Sequence, residues 1–81
     1  MFKIEKLAKK AGVNILLLGG STWEEMIVLN GYFGRENKNR EKDIKTLEAI
    51  LQSKYETVYV RDDRDKVKIL IPTATFEEII N

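Results

Sequence analysis

The chain has 81 residues, of which 43% are hydrophobic and 33% charged, as in a soluble globular protein, and this length predicts a single domain over residues 1–81. The formal net charge of +1 provides no overall field that would attract nucleic acid or an anionic membrane, so any such binding requires a local patch. The sequence has no Cys and no His, which excludes disulfides, thiolate chemistry, most zinc sites and the usual general base. We therefore predict no cofactor, no metal and no enzymatic activity.

Hydropathy gives no indication of a membrane protein. No apolar run approaches the roughly 20 residues that a membrane-spanning helix needs. The first ten residues, MFKIEKLAKK, lack the apolar core of a secretory signal. A cytoplasmic protein is the expectation, and the sequence carries no indication of its oligomeric state.

The first elements along the chain are a helix and a short strand. Phe2 to Ala11 has apolar residues at helical spacing, and Gly12 follows as a left-handed cap. Val13 to Leu18 is short and apolar on both faces, which favours a central strand over a helix. The pair Gly19-Gly20 is predicted to end this strand.

The segment 22–33 has two competing interpretations. Ser21 and Glu24 have the spacing of a capping box, which predicts a helix from Thr22 to about Asn30. Alternatively, Asn30-Gly31 is a favoured turn pair, which would make residues 26–33 a hairpin. The helix is the slightly preferred interpretation.

A polar loop and a long helix are predicted next. Residues 34–40, GRENKNR, form the least hydrophobic stretch of the chain. Glu41 to Lys54 is predicted to be a helix with a buried stripe of Ile44, Leu47 and Leu51, and Asn39 is its N-cap.

The strongest pattern in the sequence is the hairpin Glu56 to Ile71. Apolar residues alternate along both halves, which is typical of strands with one buried face. We predict that Val60 lies opposite Val67, because this register places both apolar rows on the same face. Pro72 is predicted to end the second strand, and a last short helix is predicted from Thr75.

The predicted fold is α+β, with the order helix-strand-helix-helix-hairpin followed by a short C-terminal helix. This order, together with STWEEM at 21–26 and the stretch 43–71, resembles the winged helix-turn-helix family. In that family the third helix enters the major groove and the hairpin contacts the DNA backbone. The resemblance implies a small regulatory protein that binds duplex DNA through the helix at about 41–54 and the hairpin tip. The implied contact residues are Lys38, Asn39, Arg40, Lys42, Lys45, Thr46, Arg61 and Arg64.

A second class of function fits the same composition. The small size, the near-zero net charge and the lack of a catalytic set are typical of a compact inhibitor or adaptor that binds a larger protein, such as a phage-encoded anti-defence or host-takeover factor. Aromatic residues are favoured at the energetic centres of protein interfaces. The predicted anchors for this alternative are Tyr32, Phe33 and Tyr59.

Overall fold

The computed structural model describes residues 3–23, 25–33 and 39–80. Residues 79 and 80 are described by their backbone alone. Within these residues the chain forms three helices and one four-stranded antiparallel sheet, which confirms the α+β class. The elements are α1 (Lys3–Lys10), β1 (Leu16–Trp23), β2 (Met26–Tyr32), α2 (Arg40–Lys54), β3 (Tyr59–Asp63), β4 (Lys66–Pro72) and α3 (Thr73–Ile80).

The sheet consists of two hairpins joined side by side. β1 pairs with β2, β3 pairs with β4, and β2 pairs with β4, so the strand order is β1-β2-β4-β3. Residues directly opposite each other share a face, and Leu29, Ile69 and Val60 form one such row across three strands. This row is buried in the same core as the apolar stripes of α1 and α2. The helices therefore cover one face of the sheet and leave the other face open.

Two predicted helices are confirmed. α2 begins one residue before the predicted start, and its stripe of Ile44, Leu47 and Leu51 is buried. α1 matches its predicted segment, and Gly12 has the left-handed φ of +81° that favours glycine at a helix end.

The predicted helix at 22–30 is wrong, and so is the alternative hairpin with a turn at Asn30-Gly31. β1 continues through both glycines to Trp23, which lies opposite Met26, and β2 then runs without interruption to Tyr32. Glycine does not end the strand because a bulge between Leu17 and Gly19 accommodates the φ of +146° at Gly19. The pairing of β2 with β4 supplies the tertiary contacts that override the capping-box spacing.

The order of elements is therefore helix-strand-strand-helix-strand-strand-helix, and not the helix-strand-helix-helix-hairpin order that was predicted. The predicted strand 13–18 overlaps only the start of β1, and β1 is an edge strand and not a central one. Of the predicted polar loop, residues 34–38 lie outside the described residues, and Arg40 belongs to α2.

The second hairpin has the predicted faces but a different register. Val60 lies opposite Ile69 and not Val67, because Arg64 and Asp65 alone form the turn. This register brings Asp63 opposite Lys66, a pair of opposite charges, which is favourable across strands. A slip of two residues keeps every side chain on its face, so the predicted burial of this hairpin's apolar rows is confirmed. β4 ends at Pro72 as predicted, and α3 begins two residues earlier than predicted.

Candidate functional site

Arg40, which the winged-helix resemblance assigned to a DNA groove, is engaged within the domain. Its Nε donates a hydrogen bond to Asp62 Oδ1 at 2.8 Å, and its Nη2 donates to the backbone oxygens of Asp63 and Lys66, the latter at 2.9 Å. The guanidinium also lies 6.0 Å from the centre of the Phe33 ring. Arg40 thus joins the start of α2 to the β3–β4 turn.

The other predicted residues of α2 do lie together on its exposed side. Asn39, Lys42, Lys45 and Thr46 line a shallow depression that also includes Glu41. Lys45 Nζ lies 3.7 Å from Glu41 Oε1, and both side chains are largely exposed to solvent. Thr46 Oγ1 donates to the Lys42 carbonyl at 2.9 Å. These contacts are local to the helix.

The hairpin cations do not join this group. Arg61 alternates with the buried Val60 along β3, so its side chain leaves the sheet on the face that the helices do not cover. α2 covers the opposite face of the sheet, and its exposed side points away from the sheet. Arg64 is exposed in the β3–β4 turn, and Lys38 lies outside the described residues. The predicted DNA-contacting set is therefore divided between two sides of the domain.

The uncovered side of the sheet carries an apolar patch in two parts, which the polar row of Asn30, Lys68 and Arg61 separates. Val28 lies opposite both Ser21 and Leu70, and Leu70 in turn lies opposite Tyr59. Trp23 lies opposite Met26 at one end of the hairpin, and Leu16 lies opposite Tyr32 at the other. We call this patch the open sheet face. It consists of Leu16, Trp23, Met26, Val28, Tyr32, Tyr59 and Leu70.

Four side chains of the open sheet face are unusually exposed for their size. Leu16 is 52% exposed, Trp23 62%, Tyr32 40% and Tyr59 51%. Water-facing sides of antiparallel sheets normally carry polar residues. The exposed aromatic and aliphatic side chains on this side therefore depart from that pattern.

Charge is distributed unequally between the two hairpins. β1 and β2 contain no charged residue, although one third of the whole chain is charged. β3 and β4 carry charges of both signs, and Lys68 Nζ lies 3.7 Å from Asp63 Oδ2 across the strands. The open sheet face is thus neutral over β1 and β2, with mixed charges along the other hairpin.

The aromatic anchors predicted for a protein partner are only partly exposed. Tyr32 and Tyr59 both lie on the open sheet face. Phe33, in contrast, is 7% exposed and belongs to the core, where it packs near Arg40. Trp23 was missed because it lies within the segment that was predicted to be a helix. The β-branched residues Thr22, Ile27 and Val28 around it were the available indication of strands.

The two edges of the sheet differ in their protection. Along β3, the Val60 N–H donates to Glu48 Oε2 at 2.9 Å, and the Val58 carbonyl accepts from Gln52 Nε2 at 3.1 Å. Side chains of α2 therefore occupy two outward backbone groups at the start of this edge. Across the described parts of the chain, no side chain makes such a bond to β1. Every residue of β1 except Leu17 is exposed.

An apolar groove runs beside β1 on the helix side of the sheet. Its volume is about 300 Å³, and its apolar lining comes from Leu17, Ile27, Leu29 and Phe76. The glycine backbone of β1 forms one wall of the groove. The helices therefore leave β1 uncovered on this side as well.

No protein-family model, curated protein or solved structure matches the chain significantly. Among the described residues, no group of three acidic side chains is placed to hold a metal ion. None of the described helices is long and apolar enough to cross a membrane.

Proposed function

We propose that this chain is a compact protein-binding module, acting as an inhibitor or adaptor, that docks a partner protein on the open sheet face. The observation that carries the proposal is the exposure of Trp23, Tyr32 and Tyr59 together on the side of the sheet that no described helix covers. Exposed apolar patches bordered by polar residues mark interaction sites on soluble proteins.

The chemistry of the open sheet face suits a protein surface. Tryptophan and tyrosine bury a large area while they lose few rotatable bonds, so they serve as anchors at the centre of interfaces. Val28 and Leu70 are half-buried between them and supply a flat aliphatic floor. Arg61 and Lys68, directly opposite each other, lie beside Tyr59 and form with Asn30 a polar row between it and Tyr32. The face therefore combines apolar anchors with polar groups, as protein interfaces do.

The partner can be located with a photo-crosslinking amino acid. Placed at Tyr59 or Tyr32, the crosslinker should capture one protein from a lysate of the cells in which the chain occurs. The same crosslinker at Thr46, on the exposed side of α2, is the matched control and should not capture it. Equal capture from Thr46 would contradict docking on the open sheet face.

The affinity for the captured protein gives the quantitative test. Tyr59→Ala should weaken binding by more than about 1 kcal/mol, roughly fivefold, because it removes an aromatic anchor. Tyr59→Phe keeps the ring and should stay close to the parent chain. Equal affinities of the parent chain and the alanine variant for the partner would show that Tyr59 does not contribute to the interface.

Binding of duplex DNA is the second candidate function, and one observation favours it. Asn39, Lys42, Lys45 and Thr46 share the exposed side of α2, as a groove-binding helix requires. Lys42→Glu combined with Lys45→Glu is the appropriate charge reversal, because Arg40 has a structural role. If α2 lies on DNA, the double variant loses affinity and its salt dependence falls by about one counterion per lysine. An unchanged DNA affinity and salt slope would exclude α2, and protein binding through the open sheet face should survive the same double variant.

A further inference from the structure

β1 is an edge strand that presents its backbone to solvent. In an antiparallel sheet, alternate residues direct their N–H and C=O groups to the same neighbour. Trp23 pairs with Met26 across the turn, so the backbone groups of Thr22 and Gly20 point outward from the sheet. Natural proteins normally protect such an edge with charged residues, proline, a β-bulge or a covering element, and of these β1 has a bulge between Leu17 and Gly19. Residues 13–23 contain neither a charged residue nor a proline.

The side chains along this edge are apolar on both sides of the strand. Leu16, Leu18 and Trp23 are each more than half exposed, and Leu18 is 60% exposed at the bulge. On the helix side, the groove beside Leu17 and Phe76 borders the same strand. A strand that pairs with β1 therefore gains apolar contacts on both faces in addition to backbone hydrogen bonds.

We propose that β1 pairs antiparallel with β1 of a second copy of this chain, which joins the two sheets into one of eight strands. The neutral, apolar strand that suits this edge best is β1 itself, whereas β3 and β4 are highly charged. Two identical strands in antiparallel orientation bring the Leu16 end of one copy beside the Trp23 end of the other. The Leu16 and Trp23 side chains of each copy are then covered by the other copy, as in a two-fold symmetric interface.

The opposite edge explains why this assembly stops at two copies. Growth into a longer sheet requires a second free edge, but Glu48 and Gln52 bond the Val60 N–H and the Val58 carbonyl at the start of the β3 edge. Pairing through β1 alone closes after one step, because each copy has already used its open edge. This inference rests on the backbone edge of β1 and not on the proposed function, although Leu16 and Trp23 of β1 also belong to the open sheet face.

Sedimentation equilibrium of the full chain tests the proposal. From about 1 μM to about 1 mM, a range that covers weak to moderate association, the mass should rise from 9.4 kDa towards twice that value. Leu18→Lys introduces a charge at an exposed edge position and should weaken dimerisation at least about tenfold. Ala49→Lys adds the same charge on the exposed side of α2 and should leave the dimer unchanged.

Amide hydrogen exchange on the unaltered chain locates the interface. The Gly20 and Thr22 amides should exchange more slowly as the concentration rises, while the Val60 amide should not change. Thr22→Lys provides a second edge variant if circular dichroism shows that Leu18→Lys is unfolded. A chain that stays monomeric up to about 1 mM overturns the proposal. The proposal is also overturned if a folded edge variant dimerises as tightly as the parent chain and dimerisation leaves the exchange of the Gly20 and Thr22 amides unchanged.

Discussion

Replacement of Arg40 by alanine is expected to destabilise the domain far more than replacement of a surface lysine. The Arg40 side chain is 32% exposed, and it joins α2 to the β3–β4 turn through Asp62 and two backbone carbonyls. Arg40→Ala removes these contacts together and leaves the two part-buried carbonyl groups without their donor.

The magnitude follows from the separate contacts. The ion pair with the half-exposed Asp62 contributes about 0.5 to 1 kcal/mol, because solvent screens it. Each carbonyl bond to the guanidinium adds about 1 kcal/mol, a value reduced for partial exposure. The free energy of unfolding should therefore fall by about 2 to 3 kcal/mol, out of roughly 5 kcal/mol for a domain of this size.

Urea denaturation followed by circular dichroism measures this loss. Lys45→Ala is the matched control, because it breaks an exposed pair at 3.7 Å and should cost less than about 0.5 kcal/mol. A double-mutant cycle with Asp62→Ala should assign only about 0.5 to 1 kcal/mol to the ion pair, which leaves the larger part to the two carbonyls. If Arg40→Ala and Lys45→Ala lower the free energy of unfolding by the same small amount, Arg40 does not join the helix to the turn in solution.

Three further substitutions probe the core and the edges. Ile69→Asp should abolish folding, because Ile69 is fully buried between Leu29 and Val60 and a lone carboxylate there costs more than the roughly 5 kcal/mol available; a cooperative melt would contradict this. Glu48→Ala should cost about 1 kcal/mol and speed exchange of the Val60 amide, whereas the exposed Glu41→Ala should do neither. Gly31→Ala should cost about 1 to 3 kcal/mol, because the added carbon would lie 2.6 Å from Ile15 Cδ1; thermal melts that match the parent chain would show that Ile15 moves aside freely.

The sequence predicts the second half of the fold well because its patterns there are long and unambiguous. α2 has three turns of regular apolar spacing, and the β3–β4 hairpin alternates clearly on both strands. The hairpin register was wrong by two residues because apolar alternation repeats every two residues and so does not distinguish such slips. The choice between them is made by the turn, where Asp63 lies opposite Lys66.

The first half was harder because local signals there compete with tertiary pairing. Gly19-Gly20 normally marks a turn, yet here it lies inside β1 next to a bulge. Trp23 and Val28 therefore fell within the wrongly predicted helix, and of the open sheet face only Tyr32 and Tyr59 were predicted as anchors. The role of Arg40 depends on contacts with residues more than twenty positions away, which no local pattern reveals.

The strand order has a consequence for how quickly the chain folds. Each hairpin closes through a short turn, so β1–β2 and β3–β4 involve only local pairing. Among the described strands, β2 and β4 alone must meet across a long stretch of chain that includes α2. We therefore expect the entropy of closing that loop to set the main folding barrier. Substitutions at the β2–β4 junction, such as at Leu29, should therefore slow folding, whereas changes at the Arg64–Asp65 turn should act mainly on unfolding.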